Sequence, residues 1–565
     1  MERGNRRRGG VAVVAALAVA GSVAGVAPVG VLAAGGGTAG SADATYRNYM
    51  VFYADGARSQ AVSDVERAGG TNVSPGDPRL GYVVARGPGD RFLEALASSD
   101  AVVGVSSNRK IGTAVATRVA PEVDKDLAAR APLDGAAAEG AEPLSGRQWD
   151  MRLIGATPDK SYKKAPGSKK VLVGIIDTGV DGTHPDIAPN FDRALSRNFV
   201  TDKPKDPNGE TFDGPCEVTS CKDPVDADDN GHGTHVASTI GSPINGLGVA
   251  GVAPNVTLVN LRAGQDSGLF FLKPSMDALT YAADNGIDVV NMSYYVDPWL
   301  FNCTANPSDS KAEQMEQRGI ITGMQRALDY ARKRGVTLIS AIGNGSTDLG
   351  KPKTDTSSPD YPQGEERTRK VNNSCLNVPA ESKGVISVSS VGPNGVKAYY
   401  SDYGIEQTDL SAPGGDEFNP STRRSDVTRT ILAAAPEKLL RTQGLIDKDG
   451  EPKSSAVVRD CKDGTCAYYQ YLQGTSMAAP HAAGVAAILV SRFGQPGKGG
   501  LTLDPKTVQR LLYASATEKK CPSPRAHVYR ATGAKTVHVC EGGKSRNGFY
   551  GHGIVNAAKA ATIKR

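Results

Sequence analysis

Between Trp149 and the C-terminus, short and mainly apolar runs recur at Val171–Ile176, Val256–Leu261, Ile287–Met292, Val336–Ile342 and Val385–Val391. Stretches with helical periodicity lie between several of them, such as Met276–Asn285 and Thr322–Arg334. A strand that reads as a continuous apolar run is buried on both faces, so the alternation predicts an α/β fold. The architecture expected is three layers, a doubly wound and mostly parallel sheet between helices. Many tight connections are needed in such a fold, and 66 glycines with few aromatics suit it. Ligands of such sheets bind beyond the carboxyl ends of the strands. Asp177 and Ser293 directly follow a run, and Asn344 follows one after a single glycine.

Three short contexts carry candidate chemistry: Ile175-Ile176-Asp177-Thr178-Gly179, His232-Gly233-Thr234-His235 and Gly474-Thr475-Ser476-Met477-Ala478-Ala479-Pro480. A serine hydroxyl is a weak nucleophile and needs a base in reach, which in turn needs an orienting group. Asp, then His, then Ser is one of the known chain orders for such a triad. Ser476 precedes a run of small residues that reads as a closely packed helix, and its N–H lies in the first turn, free to face an anion. Asn344 in Gly343-Asn344-Gly345 is the candidate second donor to an oxyanion. Loss of one such donor typically costs about a hundredfold to a thousandfold in turnover.

Each context has a plainer reading. Ser476 alone suits a helix cap, and Asn344-Gly345 alone suits a turn. His232 and His235 are spaced like metal ligands, but no Glu stands between them as in H-E-x-x-H; His235 is expected to be buried and structural. Asp177-Thr178-Gly179 also suits an aspartic peptidase. That class needs two such carboxylates, and Asp266-Ser267-Gly268 lacks the preceding apolar strand.

Taken together, these contexts with Asn291-Met292-Ser293 and the closing Tyr550-Gly551-His552-Gly553-Ile554-Val555-Asn556 resemble the subtilisin-like serine peptidases, the subtilase family. The resemblance runs from about residue 148 to 565 and implies Asp177, His232 and Ser476 as the triad with Asn344 as oxyanion donor. It further implies that the backbone at Ser293, Gly268, Leu269 and Gly343 binds substrate as an added strand. Tyr294-Tyr295-Val296 departs from the small residues common after that Ser and would crowd the groove. The chemistry implied needs no cofactor. Asp186 and Asn245 match two positions of a family calcium site without a counterpart to its N-terminal glutamine, so no metal ligand is assigned and a structural calcium stays open. Segments 202–226 and 414–471 are extra relative to the family and read as surface loops.

Upstream lie three further segments. Residues 1–34 join an Arg cluster to an apolar stretch and read as a secretory signal peptide; Gly21, Ser22, Gly25, Pro28 and Gly30 argue against a retained anchor. Residues 45–112 read as a small α+β unit, similar in position to the family's inhibitory pro-region. Residues 113–147, rich in Ala, Gly and Pro, read as a linker open to processing. Eight cysteines in an exported chain suggest four disulfides. Local spacing favours Cys216–Cys221, Cys461–Cys466 and Cys521–Cys540, leaving Cys303–Cys375. The net charge of +5 owes much to the N-terminal Arg cluster, so a nucleic-acid surface is not indicated. The expectation is a secreted, monomeric serine endopeptidase made as an inactive precursor, with polypeptide substrates and its own pro-region as inhibitor. A non-catalytic peptide binder and a dedicated maturation peptidase or exopeptidase are the alternatives.

Overall fold

The computed structural model describes residues 46–107, 140–362, 364–530 and 536–565. The expected signal peptide and the linker up to residue 139 lie outside them. The N-terminal unit is built from β1 (Tyr46–Tyr53), α1 (Arg58–Arg67), β2 (Thr71–Pro75), β3 (Tyr82–Pro88), α2 (Gly89–Leu96) and β4 (Val102–Ser107). Its antiparallel sheet has the order β2-β3-β1-β4. Alternation along β1 sorts its side chains to opposite faces. Tyr49 and Val51 pack under α1 and α2, while Met50 and Phe52 face the large domain.

That domain is organised by seven parallel strands: β5 (Leu172–Ile176), β6 (Arg197–Asn198), β7 (Thr257–Arg262), β8 (Val289–Met292), β9 (Thr337–Ala341), β10 (Ile386–Val391) and β11 (Leu410–Pro413). Their order is β11-β10-β9-β8-β5-β7-β6. All five apolar runs became strands. The two-residue β6 is too short to register as a run, and β11 is interrupted by Ser411 and ends on Pro413. Four of its helices flank the sheet at the site: α3 (His232–Gly241), α4 (Leu272–Asn285), α5 (Lys311–Lys333) and α6 (Thr475–Phe493). Val173, Ile175, Val289 and Ile339 join the core under α3 and α6; Leu172, Ile176, Val290 and Leu338 join the core under α4 and α5. The three layers follow from this alternation.

The start of α5 lies well upstream of the expected Thr322. Ser310 and Glu313 form a capping box there, a signal present in the sequence as Ser-x-x-Glu. Segment 414–471 is not merely a surface loop: Ile431–Ala434, Val457–Lys462 and Thr465–Leu472 form a three-stranded antiparallel sheet whose Ile431 and Tyr469 are fully buried. All four disulfides pair as the spacing suggested.

The N-terminal sheet docks on α4 and α5. Met50, Phe52, Leu80 and Tyr82 pack with Leu272, Met276 and Met324. Backbones touch where β4 crosses α5: a Cβ on Gly104 would lie 2.4 Å from the Gly319 nitrogen. The Arg326 guanidinium donates to the carbonyls of Leu80, Gly81 and Tyr53 at 2.9–3.1 Å. At the end of β4, the Ser107 hydroxyl donates to Glu316 at 2.5 Å.

Candidate active site

The strand order reverses at β5, which has β7 on one side and β8 on the other. Ile176 and Met292 are register partners, so the next residues, Asp177 and Ser293, emerge side by side from the carboxyl edge. This is the crevice where doubly wound sheets bind ligands.

Asp177 is fully buried, and its Oδ1 accepts from His232 Nδ1 at 2.7 Å and from the Thr178 N–H at 2.8 Å. His232 opens α3, which must approach the Asp177 turn closely. A Cβ on Gly233 would lie 2.0 Å from the Gly179 carbonyl oxygen, so no larger residue fits. Asp228 fastens the same helix start. Its carboxylate accepts from the N–H groups of Gly231 and Thr234 and from the Thr234 hydroxyl. Gly231 is the N-cap and has no side chain to cap with, so Asp228, three residues earlier, takes up the free N–H groups instead.

Burial works against a charged His232 ring. The Asp177 charge and hydrogen bond, with the Asp228 charge, outweigh it and raise the pKa above its ordinary 6.5. His235, one turn along, is buried with Nε2 facing the carbonyls of Ile431 and Gln470, and burial pushes it down to about 3. It is a neutral structural histidine, as expected, and not half of a metal pair.

Ser476 stands in the first turn of α6. Pro480 has no N–H with which to bond the Ser476 carbonyl four residues back. Ser293 supplies the missing donor: its hydroxyl bonds the Ser476 carbonyl at 2.9 Å and is itself held by Asn291 Nδ2 at 2.8 Å. In return the Ser476 hydroxyl donates to the Ser293 carbonyl at 3.2 Å. Asn344 Oδ1 accepts from the N–H and the hydroxyl of Thr475, both at 2.9 Å, which leaves its Nδ2 to face the cavity. The Thr475 hydroxyl also accepts from the Gly343 N–H.

A cavity of about 240 Å³ collects these groups. His232, Ser476, Asn344, Ser293, Gly268 and Gly343 all line it. Leu269 does not. Gly264 and Phe270 pair across a tight turn, so alternate residues point oppositely; Leu269 is buried with Phe271 and Tyr361, and its carbonyl accepts from the Gln265 N–H. Phe270 takes the cleft position instead, stacked on Tyr294 with centroids 4.1 Å apart. Tyr295 also lines the cavity, anchored by its hydroxyl on Asp360 at 2.5 Å. The expected crowding by Tyr294 and Tyr295 is present, while Val296 is buried behind them.

The calcium question turns on the loop at Asn245. Asp186 is buried there; its Oδ1 accepts from Asn245 Nδ2 at 3.2 Å and its Oδ2 from the Val249 N–H and the Tyr469 hydroxyl. Beside it lies Glu142, also buried, with Oε2 unpartnered among the described residues. Burial raises both carboxyls, and the charge of Glu142 adds to the effect at Asp186. Two buried carboxylates, one with an orphaned oxygen, fit a hard divalent cation. Glu142 sits in a segment whose composition reads as linker, so no sequence pattern singles it out.

Residues 168–553 match the subtilase family. The chain is 27% identical over 390 residues to the epidermin leader peptide-processing serine protease EpiP of Staphylococcus epidermidis, spanning 69% of this chain and 73% of that one. It is 27% identical over 359 residues to subtilisin DY of Bacillus licheniformis, spanning 64% and 88%. The crystal structure of EpiP from Staphylococcus aureus superposes with a TM-score of 0.57 at 21% identity, covering 92% of this chain and 99% of that one, a likeness of fold. Residues 168–553 span more than half the sequence, and the chain belongs to the subtilase family of serine peptidases, hydrolases that act on polypeptides.

Proposed function

We propose that this chain is a secreted endopeptidase, made as an inactive precursor, that cuts peptide bonds through an acyl-enzyme. Ser476 Oγ attacks the scissile carbonyl, and His232 accepts its proton and returns it to the leaving amine. Asp177 holds the ring with Nδ1 protonated and offsets the charge that develops. Asn344 Nδ2 and the Ser476 N–H bind the oxyanion. The observation that carries this reading is the 2.7 Å bond between His232 and buried Asp177, with Ser476 and Asn344 on the same cavity wall. The Ser476 hydroxyl rests on the Ser293 carbonyl and turns to His232 when substrate enters, since catalytic hydrogen bonds often tighten only in the complex.

The N-terminal unit supports the precursor part. It covers α4 and α5, and Ser106 and Ser107 at its end line a second cavity, of about 310 Å³, that shares Asp297 with the catalytic one. The described part of the unit therefore ends beside the cleft, a placement that suits an inhibitor. A structural calcium held by Glu142, Asp186 and Asn245 belongs to the same reading. Secretion rests on the leader-like residues 1–34; among the described residues no helix is long and apolar enough to cross a membrane.

Ser476→Ala is expected to leave a full-length chain and no casein hydrolysis, with turnover reduced about a millionfold as for a subtilisin nucleophile. Full activity in that variant overturns the assignment. A second reading, a dedicated processing peptidase, is favoured by Tyr294 and Tyr295 in the cleft and by the leader peptide-processing role named for EpiP. Digestion of a peptide library separates the two: cuts confined to one narrow motif support processing, and dispersed internal cuts support broad digestion.

A further inference from the structure

Beyond β8 the chain runs through Ser293, Tyr294, Tyr295 and Val296 to Asp297. Asp297 is 3% exposed and lines the catalytic cavity. Two bonds to one residue fix it there. Its N–H donates to the Phe270 carbonyl at 2.9 Å, and its Oδ2 accepts from the Phe270 N–H at 2.6 Å. No N–H and no hydroxyl among the described residues reaches its Oδ1. Its carboxyl instead bonds that of Asp360, which two acids can do only by sharing a proton. The Tyr295 hydroxyl donates to the other end of the pair, at Asp360 Oδ2.

Two carboxyls with one proton keep a negative charge, and the cleft supplies nothing to meet it. Among the described residues no Lys or Arg lines the catalytic cavity, and Asp297 is its one carboxylate. Lys273 lines the second cavity, on the other side of Asp297, but bonds Asp277 at 2.5 Å. Burial, then the Asp360 charge, holds Asp297 well above the ordinary carboxyl range, and burial raises Asp360 too. A buried charge is costly until it is paired. A cation brought in by the substrate would meet a negative group that is already stripped of water.

We propose that Asp297, backed by Asp360, selects a basic side chain, arginine ahead of lysine, on the residue whose carbonyl Ser476 attacks. This selectivity rests on the serine-peptidase reading of the cleft. Ser476 and Asn344 line the same cavity as Asp297, so the residue whose carbonyl they hold carries its side chain along that wall. A guanidinium offers a planar fork of donors to a carboxylate and stacks on aromatic rings, and Tyr294 and Tyr295 line the cavity as well. An ammonium brings the charge without the fork. An uncharged side chain of the same length seals the cavity and leaves the carboxyl pair unmet, which is how a site built for a polar group rejects an analogue lacking it.

The test uses the secreted, active protein. Cut sites in a peptide library, read by mass spectrometry, should follow Arg or Lys; cuts with no basic residue on the acyl side overturn the proposal. One cut peptide is then remade with lysine, citrulline or leucine in place of the arginine. Arginine should exceed citrulline, its uncharged isostere, about tenfold or more in kcat/KM. Asp297→Asn should bring that ratio near one and leave the citrulline and leucine peptides within about threefold of their former rates. A loss of structure at the Phe270 turn would instead slow all peptides alike and leave the ratio unmoved, which overturns the proposal. Should Asp297→Asn fail to fold, Asp360→Asn decides by the same ratio. Ser476→Ala separates the two readings. If it still cuts, the serine mechanism fails whatever the ratio; if it does not cut and the unchanged protein shows no preference for arginine over citrulline, the selectivity alone fails.

Discussion

Ser293 grips Ser476 from two sides, and the need for that grip arises at Pro480. A proline in the second turn of α6 frees the Ser476 carbonyl, and the Ser293 hydroxyl takes it up. Ser293→Ala would leave that carbonyl unsatisfied, which costs about 1–3 kcal/mol. Thermal unfolding should show a lower Tm, and kinetics a lower kcat with KM less changed. Pro480→Ala in the same background restores an N–H donor and should recover part of the lost stability. If it recovers none, the proline is not the reason for the bond. His232 gives a second prediction at this scale. Its pKa is raised because Asp177 and Asp228 favour the charged ring more than burial disfavours it. In the proposed mechanism the neutral ring is the base, so kcat/KM should rise with pH through an apparent pKa above 6.5. The charged ring also stabilises the fold below its unfolded-state pKa, and that share is lost as pH rises through the higher folded value. Asp177→Asn should move the midpoint downward, as read by NMR of the ring in a Ser476→Ala background.

The element on which docking of the N-terminal unit depends is α5. It presents Gly319 to β4 at backbone contact and Arg326 to three carbonyls of the N-terminal sheet. Hydrogen bonds to a charged group contribute about 1.5–3 kcal/mol each. Arg326→Ala should therefore loosen the N-terminal unit without unfolding the large domain. Hydrogen exchange on the Ser476→Ala chain would show faster exchange in residues 46–107 and little change in β5 and β8. Uniform acceleration would mean that Arg326 supports the whole fold. How much of such an element is legible depends on its signals. The capping box announces the start of α5 in four residues. By contrast, that α5 carries a sheet on its outer face depends on Gly319 meeting Gly104, two residues that are distant in the chain and unremarkable in it.

At the scale of the molecule, the disulfides differ in what they close. Cys303–Cys375 spans 72 residues, while Cys216–Cys221 and Cys461–Cys466 span 5 each. By chain entropy the long bridge is worth about 4 kcal/mol and a short one about 2. Replacing Cys303 and Cys375 by Ser should lower stability about twice as far as replacing Cys216 and Cys221, measured by urea unfolding of Ser476→Ala. The sheet itself was readable because a strand buried on both faces must be apolar throughout, and the proposed triad could be named because Asp177, His232 and Ser476 each sit in a short context that local chemistry explains. Leu269, Glu142 and the 431–472 sheet were not readable. Which way a residue in a tight turn points, and which carboxylate of a polar segment becomes buried, depend on partners far along the chain. Local periodicity and capping act over a few residues and are written in order along the sequence. The meeting of Asp177 with His232 and of Ser293 with Ser476 is decided only when the sheet reverses direction at β5 and brings those ends to one edge.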